Sequence, residues 1–392
     1  MRFCGILISK RHPTNNDAKK TTRRLTTHRS GLQWVIQMID VMEKRFPSAD
    51  GNHVLYGRIY APETEARGLF HVVHGMVEHI GRYDGFMRKM AENGWICYGF
   101  DNLGHGKTAA NGSELGYIGG YPYLLADVRR FTAAVKHAYG NHLPCVLMGH
   151  SMGSFIARCT FTDKLWNKLI IMGTGGPNPI LPMGVFLLNR LIRVKGERYT
   201  SNTLEMMVFS SYNNHFDEVD AHAWLSSIPE TRDLYHADRF CAFHFCVASM
   251  KDLLQMLRIC NRSAWFGRKE LNVPVLLISG DEDPVGNYGK GVKTVYNRLI
   301  KNGKNAQLKL YHNCRHEILN DVCREEVIRD ILDFSGAGRS ETSSRKHKSS
   351  PGKYGHRFPA NEPALWADTR TGAETQRSTL RMHGRLGIHK VL

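Results

Sequence analysis

Residues 146–158 read VLMGHSMGSFIAR and set Ser151 between Gly149 and Gly153. The apolar run PCVLMG before the serine has the look of a buried strand, and SFIARCTFT after it carries a helical pattern. A strand that passes straight into a helix at a serine must reverse sharply, and side chains at 149 and 153 would clash with that turn. Glycine on both sides removes the clash. The turn lifts the hydroxyl above the strand end and leaves the first N–H of the helix, that of Met152, beside it. His150, inside the turn, is expected to pack and orient rather than to act as a second base.

The pattern around this turn is regular. KRFPSADG and HVLYGRIYA form an expected antiparallel pair across the turn signal Asp50-Gly51-Asn52. GLFHVVHG, WICYGFD, PCVLMG and KLIIMGTGG follow as short apolar strands, separated by the helical stretches RYDGFMRKMAENG, YLLADVRRFTAAVKHAYG and SFIARCTFT. Strands alternating with helices predict an α/β fold, a parallel sheet with helices on both faces. The alternation breaks over residues 174–260, which read as a mostly helical insertion. It resumes with the strand VPVLLISG, the helix GKGVKTVYNRLIKNG, the strand AQLKLYH and the helix REEVIRDILDF.

A serine hydroxyl is a poor nucleophile at neutral pH and needs a base, which in turn needs an orienting acid. In a strand–turn–helix layout of this kind the acid and then the histidine follow the serine in chain order. GDEDPVG after one late strand offers Asp281, Glu282 and Asp283, and YHNCRHEIL after the next offers His312 and His316. His316, five residues beyond Tyr311, suits a loop that returns to the strand ends and is expected to be the base. Asp283 is the preferred acid, although period alone does not separate it from its two neighbours. A tetrahedral intermediate also needs two donors aimed at its developing charge, typically worth about 3 kcal/mol each. The N–H of Met152 supplies one, and the N–H of Met76, in the loop after FHVVHG, supplies the other. Glu78, just beyond, is expected to tie to Arg82.

Composition narrows the function classes. The formal net charge is +17, but residues 1–41 hold eight Lys/Arg against two Asp/Glu, and residues 335–392 hold eleven against four. Only about +4 remains for residues 42–334, so the basicity belongs to the ends and says little about what the body binds. Both ends lack any helical or strand period and are expected to be disordered, residues 1–41 as an N-terminal extension and 335–392 as a tail. Binding of nucleic acid through them would need stacking aromatics among the charges, and the C-terminal end offers only Tyr354, Phe358 and Trp366. No nucleic-acid partner is expected. The nine cysteines show no C-x-x-C pair and no zinc-type Cys/His spacing, which predicts reduced, mostly buried thiols, a cytoplasmic chain and no metal. No uninterrupted apolar run reaches about 18 residues, so no membrane span is expected.

HVVHGMVEHIGRYDGF, DNLGHGKT, GHSMGS and GDEDPVGNYGKGV…YHNCRHEILND occur in that order, and together they resemble the α/β-hydrolase branch of monoacylglycerol lipases and lysophospholipase-like serine hydrolases, also labelled serine aminopeptidases. The resemblance covers about residues 42–334. It implies an eight-stranded, mostly parallel sheet and a lid formed by the 174–260 insertion. It places the nucleophile at Ser151, the acid at Asp283, the histidine at His316 and the oxyanion donors at Met76 and Met152. Lids of this family are apolar and close over an acyl chain, and ILPMGVFLLNRLI fits such a surface, with transient membrane contact through it. DNLGHG departs from the family in lacking an arginine, the tails have no counterpart, and Met42 lies where related chains commonly begin.

The expected function is therefore hydrolysis of a carboxylic ester through an acyl-enzyme, on monoacyl lipids such as monoacylglycerol or lysophospholipid, without a cofactor. A peptidase or thioesterase on the same triad is the alternative within the enzyme class. A non-catalytic binder of the same fold would lack a triad member, and all three are present.

Overall fold

The computed structural model describes residues 22–28, 31–37, 39–109, 114–201, 209–336 and 367–368. One sheet carries the structure. Its strands are β1 (Ile39–Pro47), β2 (Val54–Pro62), β3 (Gly68–Val73), β4 (Trp95–Phe100), β5 (Cys145–His150), β6 (Lys168–Met172), β7 (Val275–Gly280) and β8 (Ala306–Tyr311). They lie in the spatial order 1-2-4-3-5-6-7-8. β1 and β2 pair antiparallel, β2 meets β4 antiparallel, and every other contact is parallel. The pair Ala367–Asp368 extends the β1 edge opposite Arg45 and Lys44. This is the eight-stranded α/β-hydrolase architecture that the alternation and the resemblance imply.

The central strands are apolar along their length because both faces are covered, as a parallel sheet requires. Leu69, Phe70, Val72 and Val73 of β3 are all buried. Edge strand β8 is instead half-exposed along most of its length. On one face pack α2 (Tyr121–Tyr139), α3 (Met152–Thr160) and α8 (Lys290–Lys301); on the other pack α1 (Asp84–Glu92) and α9 (Arg324–Ser335). Phe131 of α2 anchors the first layer, edge-on to Phe46 at 5.5 Å and tilted against Phe100 at 5.0 Å. Truncating so buried an aromatic costs about 3–5 kcal/mol.

Between β6 and β7 the chain leaves the sheet, as expected, into a helical insertion. Its described helices are α4 (Leu181–Lys195), α5 (Pro229–Ala237), α6 (Val247–Cys260) and the short α7 (Ser263–Phe266). α4 packs on α6, and α6 packs on α3, the helix that follows Ser151. Among the described residues no helix is long and apolar enough to cross a membrane.

Two expectations need correction in detail. The sheet begins at Ile39 rather than after Met42, because Ile39, Asp40 and Val41 continue the ladder opposite Pro62, Ala61 and Tyr60. Within the N-terminal segment read as a tail, Thr22–His28 and Gly31–Gln37 pair antiparallel. The rest of that segment, and the C-terminal tail apart from residues 335, 336, 367 and 368, lies outside the described residues.

The cysteines are not all thiols. Cys314 and Cys323 are disulfide-bonded, their Cα atoms 6.5 Å apart, because the loop carrying His316 folds back against the start of α9. The other described cysteines are free.

Candidate active site

In open α/β sheets ligands bind beyond the carboxyl ends of the strands, where the strand order reverses. Here the expected site residues follow β3, β5, β7 and β8 at that rim.

Ser151 closes β5 with φ 53° and ψ −122°, a left-handed-side backbone that a residue with a side chain adopts only when its surroundings enforce it. Its N–H donates to the Met172 carbonyl at 3.0 Å, and its own carbonyl accepts from the Ser154 N–H at 2.8 Å. A Cβ on Gly149 would run into the Gly153 carbonyl, and one on Gly153 into the Val73 carbonyl. Both glycines are therefore steric necessities of the turn. Met152 is the first residue of α3, so its N–H is one of the unpaired donors at that helix start.

The loop after β3 is held from two sides. The Asn102 N–H donates to His74 Nε2 at 2.9 Å, which leaves the ring proton on Nδ1, and Nδ1 donates to the Gly75 carbonyl at 2.8 Å. Complete burial lowers the His74 pKa and keeps the ring neutral. With the Gly75 carbonyl so fixed, the Met76 N–H must point away on the other side of that trans peptide. The Gly75 N–H donates to Glu78 Oε1 at 2.5 Å. A Cβ on Gly75 would lie 3.1 Å from the Ser151 Cβ, so this loop passes directly by the serine. Val77, next along, has φ 53°.

Asp283 and His316 meet although 33 residues separate them. His316 Nδ1 and Asp283 Oδ1 are 2.9 Å apart. The Val285 N–H donates to the same oxygen at 2.9 Å, and the Ser279 hydroxyl donates to Oδ2 at 2.9 Å. Burial alone would raise the Asp283 pKa; the charge and hydrogen bond of His316, with these donors, bring it below its ordinary value. Asp281 and Glu282 are engaged elsewhere: Asp281 with the exposed His312 at 2.8 Å, Glu282 near Arg315 at 3.8 Å. The His316 loop is clipped to the insertion as well. Its N–H donates to the Trp224 carbonyl at 3.3 Å, and the Trp224 and His316 ring centroids are 5.2 Å apart.

Ser151 and His316 converge on Gly173. This residue follows Met172, the partner of the Ser151 N–H, and its Cβ direction points 3.1 Å from His316 Cε1 and 3.2 Å from His150 Cδ2. The Ser151 hydroxyl and His316 share no hydrogen bond among the described residues. Asp283 is thus in direct contact with His316, while Ser151 reaches the pair through this shared backbone.

A second carboxylate–imidazole pair stands beside the first. Glu78 Oε1 accepts from the Tyr83 hydroxyl at 2.9 Å and lies 3.0 Å from His150 Nδ1. His150 Nε2 is 3.2 Å from the His316 carbonyl. Burial works against both charges, but the hydrogen bond and charge of each partner prevail: the Glu78 pKa is held low and the His150 pKa is raised. His150 is therefore tied to a charged partner that its reading as a packing residue did not include. The expected Glu78–Arg82 contact is present at 3.5 Å, yet Arg82 turns its fork mainly to Glu317. Ser279, at the end of an apolar strand four residues before Asp283, is a site residue that the sequence reading missed.

The family model described as serine aminopeptidase, S33, matches residues 64–322, which takes in the four strand-end loops of the site and the whole insertion. The chain belongs to this hydrolase family. Within it the chain is similar to a monoacylglycerol lipase of Mycolicibacterium smegmatis, 25% identical over 298 residues, 74% of this chain and 96% of that protein. The human monoglyceride lipase is 25% identical over 290 residues, 71% of this chain and 86% of its own length. Among solved structures, a thermostable carboxyl esterase from Bacillus coagulans in complex with glycerol is 31% identical, with a TM-score of 0.71 over 75% of this chain and 97% of that one.

Proposed function

We propose that the chain hydrolyses carboxylic esters of monoacyl lipids, monoacylglycerol first, by a Ser151–His316–Asp283 triad through an acyl-enzyme. The observation that carries the proposal is the buried Asp283–His316 hydrogen bond at the rim where Ser151 is presented. Asp283 fixes the ring with its proton on Nδ1, so that Nε2 is left to take the serine proton. Ser151 attacks the ester carbonyl, and His316 returns the proton to the leaving alcohol. Water then attacks the acyl-enzyme, again with His316 as base, and frees the acid. The N–H groups of Met76 and Met152 hold the oxyanion. No step calls for a cofactor.

The lipid class rests on two supports. The relatives named above are monoacylglycerol and monoglyceride lipases, and the similar esterase was crystallised with glycerol. The insertion also turns Ile180, Met183, Phe186, Leu187 and Val194 of the α4 region to solvent, with Arg190, Arg193 and Lys195 among them. An apolar, basic-fringed helix face suits a lid that touches a lipid surface.

The test is a rate comparison on purified full-length chain and Ser151→Ala with monoacylglycerol, lysophospholipid, a short soluble ester, an aminoacyl amide and an acyl thioester. Monoacylglycerol should be hydrolysed fastest, and the variant should be inert on all five. Preference for the amide or thioester would replace the substrate class while keeping the triad. A fully active variant would remove the mechanism.

A further inference from the structure

The seam between the loop after β3 and the insertion brings together three potential metal ligands that the proposed hydrolysis does not use. His79 lies three residues beyond Met76, whereas Asp238 and Cys241 come from the turn that ends α5. His79 Nε2 and Asp238 Oδ2 are 2.8 Å apart. With the Cys241 sulfur, all three ligand atoms lie within 4.8 Å of one another. Around a tetrahedral Zn2+ such donors stand roughly 3.3–3.6 Å apart, given bonds near 2.0–2.3 Å, so closing the site takes about 1 Å of movement.

The local backbone is already arranged for this. The Cys241 N–H donates to the Asp238 carbonyl at 2.8 Å, a tight turn that presents both side chains on the same side. Phe240, inside that turn, stands edge-on to the His79 ring with centroids 5.7 Å apart. One turn earlier, the Tyr235 hydroxyl donates to the Val77 carbonyl at 3.0 Å, so the two segments are docked without a cation. Cys241 is 4% exposed, while His79 and Asp238 keep an open side toward solvent. That is an entry path.

We propose that His79, Asp238 and Cys241 form a site for a thiophilic divalent cation of the Zn2+ type, joining the insertion to the loop that carries Met76. One imidazole, one carboxylate and one thiolate form a donor set that suits Zn2+ and Co2+ and excludes Mg2+ and Ca2+. Binding shifts the imidazole proton from Nε2 to Nδ1, at the expense of the 3.2 Å bond that Nδ1 now accepts from the Gly81 N–H. The Cys241 thiol loses its proton to solvent as the metal–sulfur bond forms, so one proton is released per cation. Burial, with the charges of Asp238, Glu78 and Glu317, pushes the Cys241 thiol well up and Arg82 only partly offsets them, so it is the metal that displaces the proton. The fourth coordination position is left to water. A second cluster, Asp220, His222 and His236, is a poorer candidate, because Arg232 Nε already occupies the Asp220 carboxylate, 2.7 Å from Oδ2, and the cluster holds no thiolate.

With the cation in place the insertion is cross-linked to the oxyanion loop, so turnover should fall and recover on chelation. That effect depends on the proposed hydrolysis; the binding itself does not. The direct experiment is anaerobic Co2+ titration of the full chain, followed by absorption, beside Cys241→Ser, Asp238→Asn and His236→Ala, each checked for folding by circular dichroism. The expected result is one equivalent bound with a cobalt–thiolate band in the near ultraviolet. That band should be lost in Cys241→Ser and retained in His236→Ala, and affinity should be weakened at least about tenfold in Asp238→Asn. A folded wild type without the band, a band that survives Cys241→Ser, or a band lost only in His236→Ala would overturn the proposal.

Discussion

His150 and His316 face each other with ring centroids 4.7 Å apart, and each is hydrogen-bonded to a buried carboxylate, Glu78 and Asp283. The two pairs differ in what they leave over. His150 uses both nitrogens, Nδ1 on Glu78 and Nε2 on the His316 carbonyl, and although burial opposes its charge, Glu78 raises its pKa. His316 spends only Nδ1, and among the described residues Nε2 has no partner. A histidine with one free nitrogen is equipped to exchange a proton; one with two engaged nitrogens positions its neighbours. On the proposed mechanism the same pairing serves twice at one rim, once for transfer and once for support.

The sharpest way to break this comparison is to remove the groups assigned to transfer. Ser151→Ala should lower kcat on the best ester by about 10⁴- to 10⁶-fold with the melting temperature nearly unchanged. Asp283→Asn should lower it by about 10⁴-fold, since the amide NH2 can donate to Nδ1 and hold the ring in the unproductive tautomer. A Ser151→Ala chain that still hydrolyses at more than a hundredth of the wild-type rate would contradict the assignment.

The supporting pair should answer in stability before activity. Glu78→Gln leaves a buried imidazolium without its counter-charge and should cost about 3–5 kcal/mol in denaturant melts, because breaking one side of a buried pair strands the other. The pH dependence follows from the two shifts. Glu78 is held below its ordinary value of 4.5, so its contribution is present above that value and is lost as pH falls through the lower folded pKa. His150 is raised above 6.5, so its contribution is present below 6.5 and is lost as pH rises through the higher folded pKa. Melting temperature should therefore decline on the alkaline side of 6.5 in the wild type, and that decline should be much reduced in Glu78→Gln. Equal slopes in the two proteins would show that His150 is not the titrating cation.

The smallest effect is expected furthest from either pair. Replacing exposed Phe186 and Leu187 of α4 by serine should slow hydrolysis of emulsified monoacylglycerol a few-fold and leave a short soluble ester within about twofold. A loss on both substrates alike would place α4 in the packing of the insertion instead of at a lipid surface.

How much of this was legible in the sequence depends on distance along the chain. The turn around Ser151 is local, so two glycines, a preceding apolar run and a following helical pattern suffice to place it. The alternation of strands and helices is local in the same sense, and the strands form where the alternation placed them. Asp283 was preferred over the two acids beside it, but period alone did not separate them and the family pattern was needed to favour it further. What separates the three is Ser279 and the Val285 N–H, hydrogen bonds that a one-dimensional period does not contain. The second pair was out of reach for a stronger reason. Glu78 sits four residues before Arg82, and that local contact is present at 3.5 Å, but Arg82 pairs mainly with Glu317 from 235 positions away, and Glu78 also engages Gly75, Tyr83 and His150. The Cys314–Cys323 bond and the clip between Trp224 and His316 are likewise products of loops that meet only in the fold.

The central claim is that Ser151 is the one activated hydroxyl of the rim. Incubation of the folded chain with a fluorophosphonate, followed by peptide mass mapping, tests it without choosing a substrate. The account predicts a single phosphonyl adduct on the peptide that contains Ser151, and no adduct in Ser151→Ala. An adduct on another residue, or equal labelling of the variant, would contradict it.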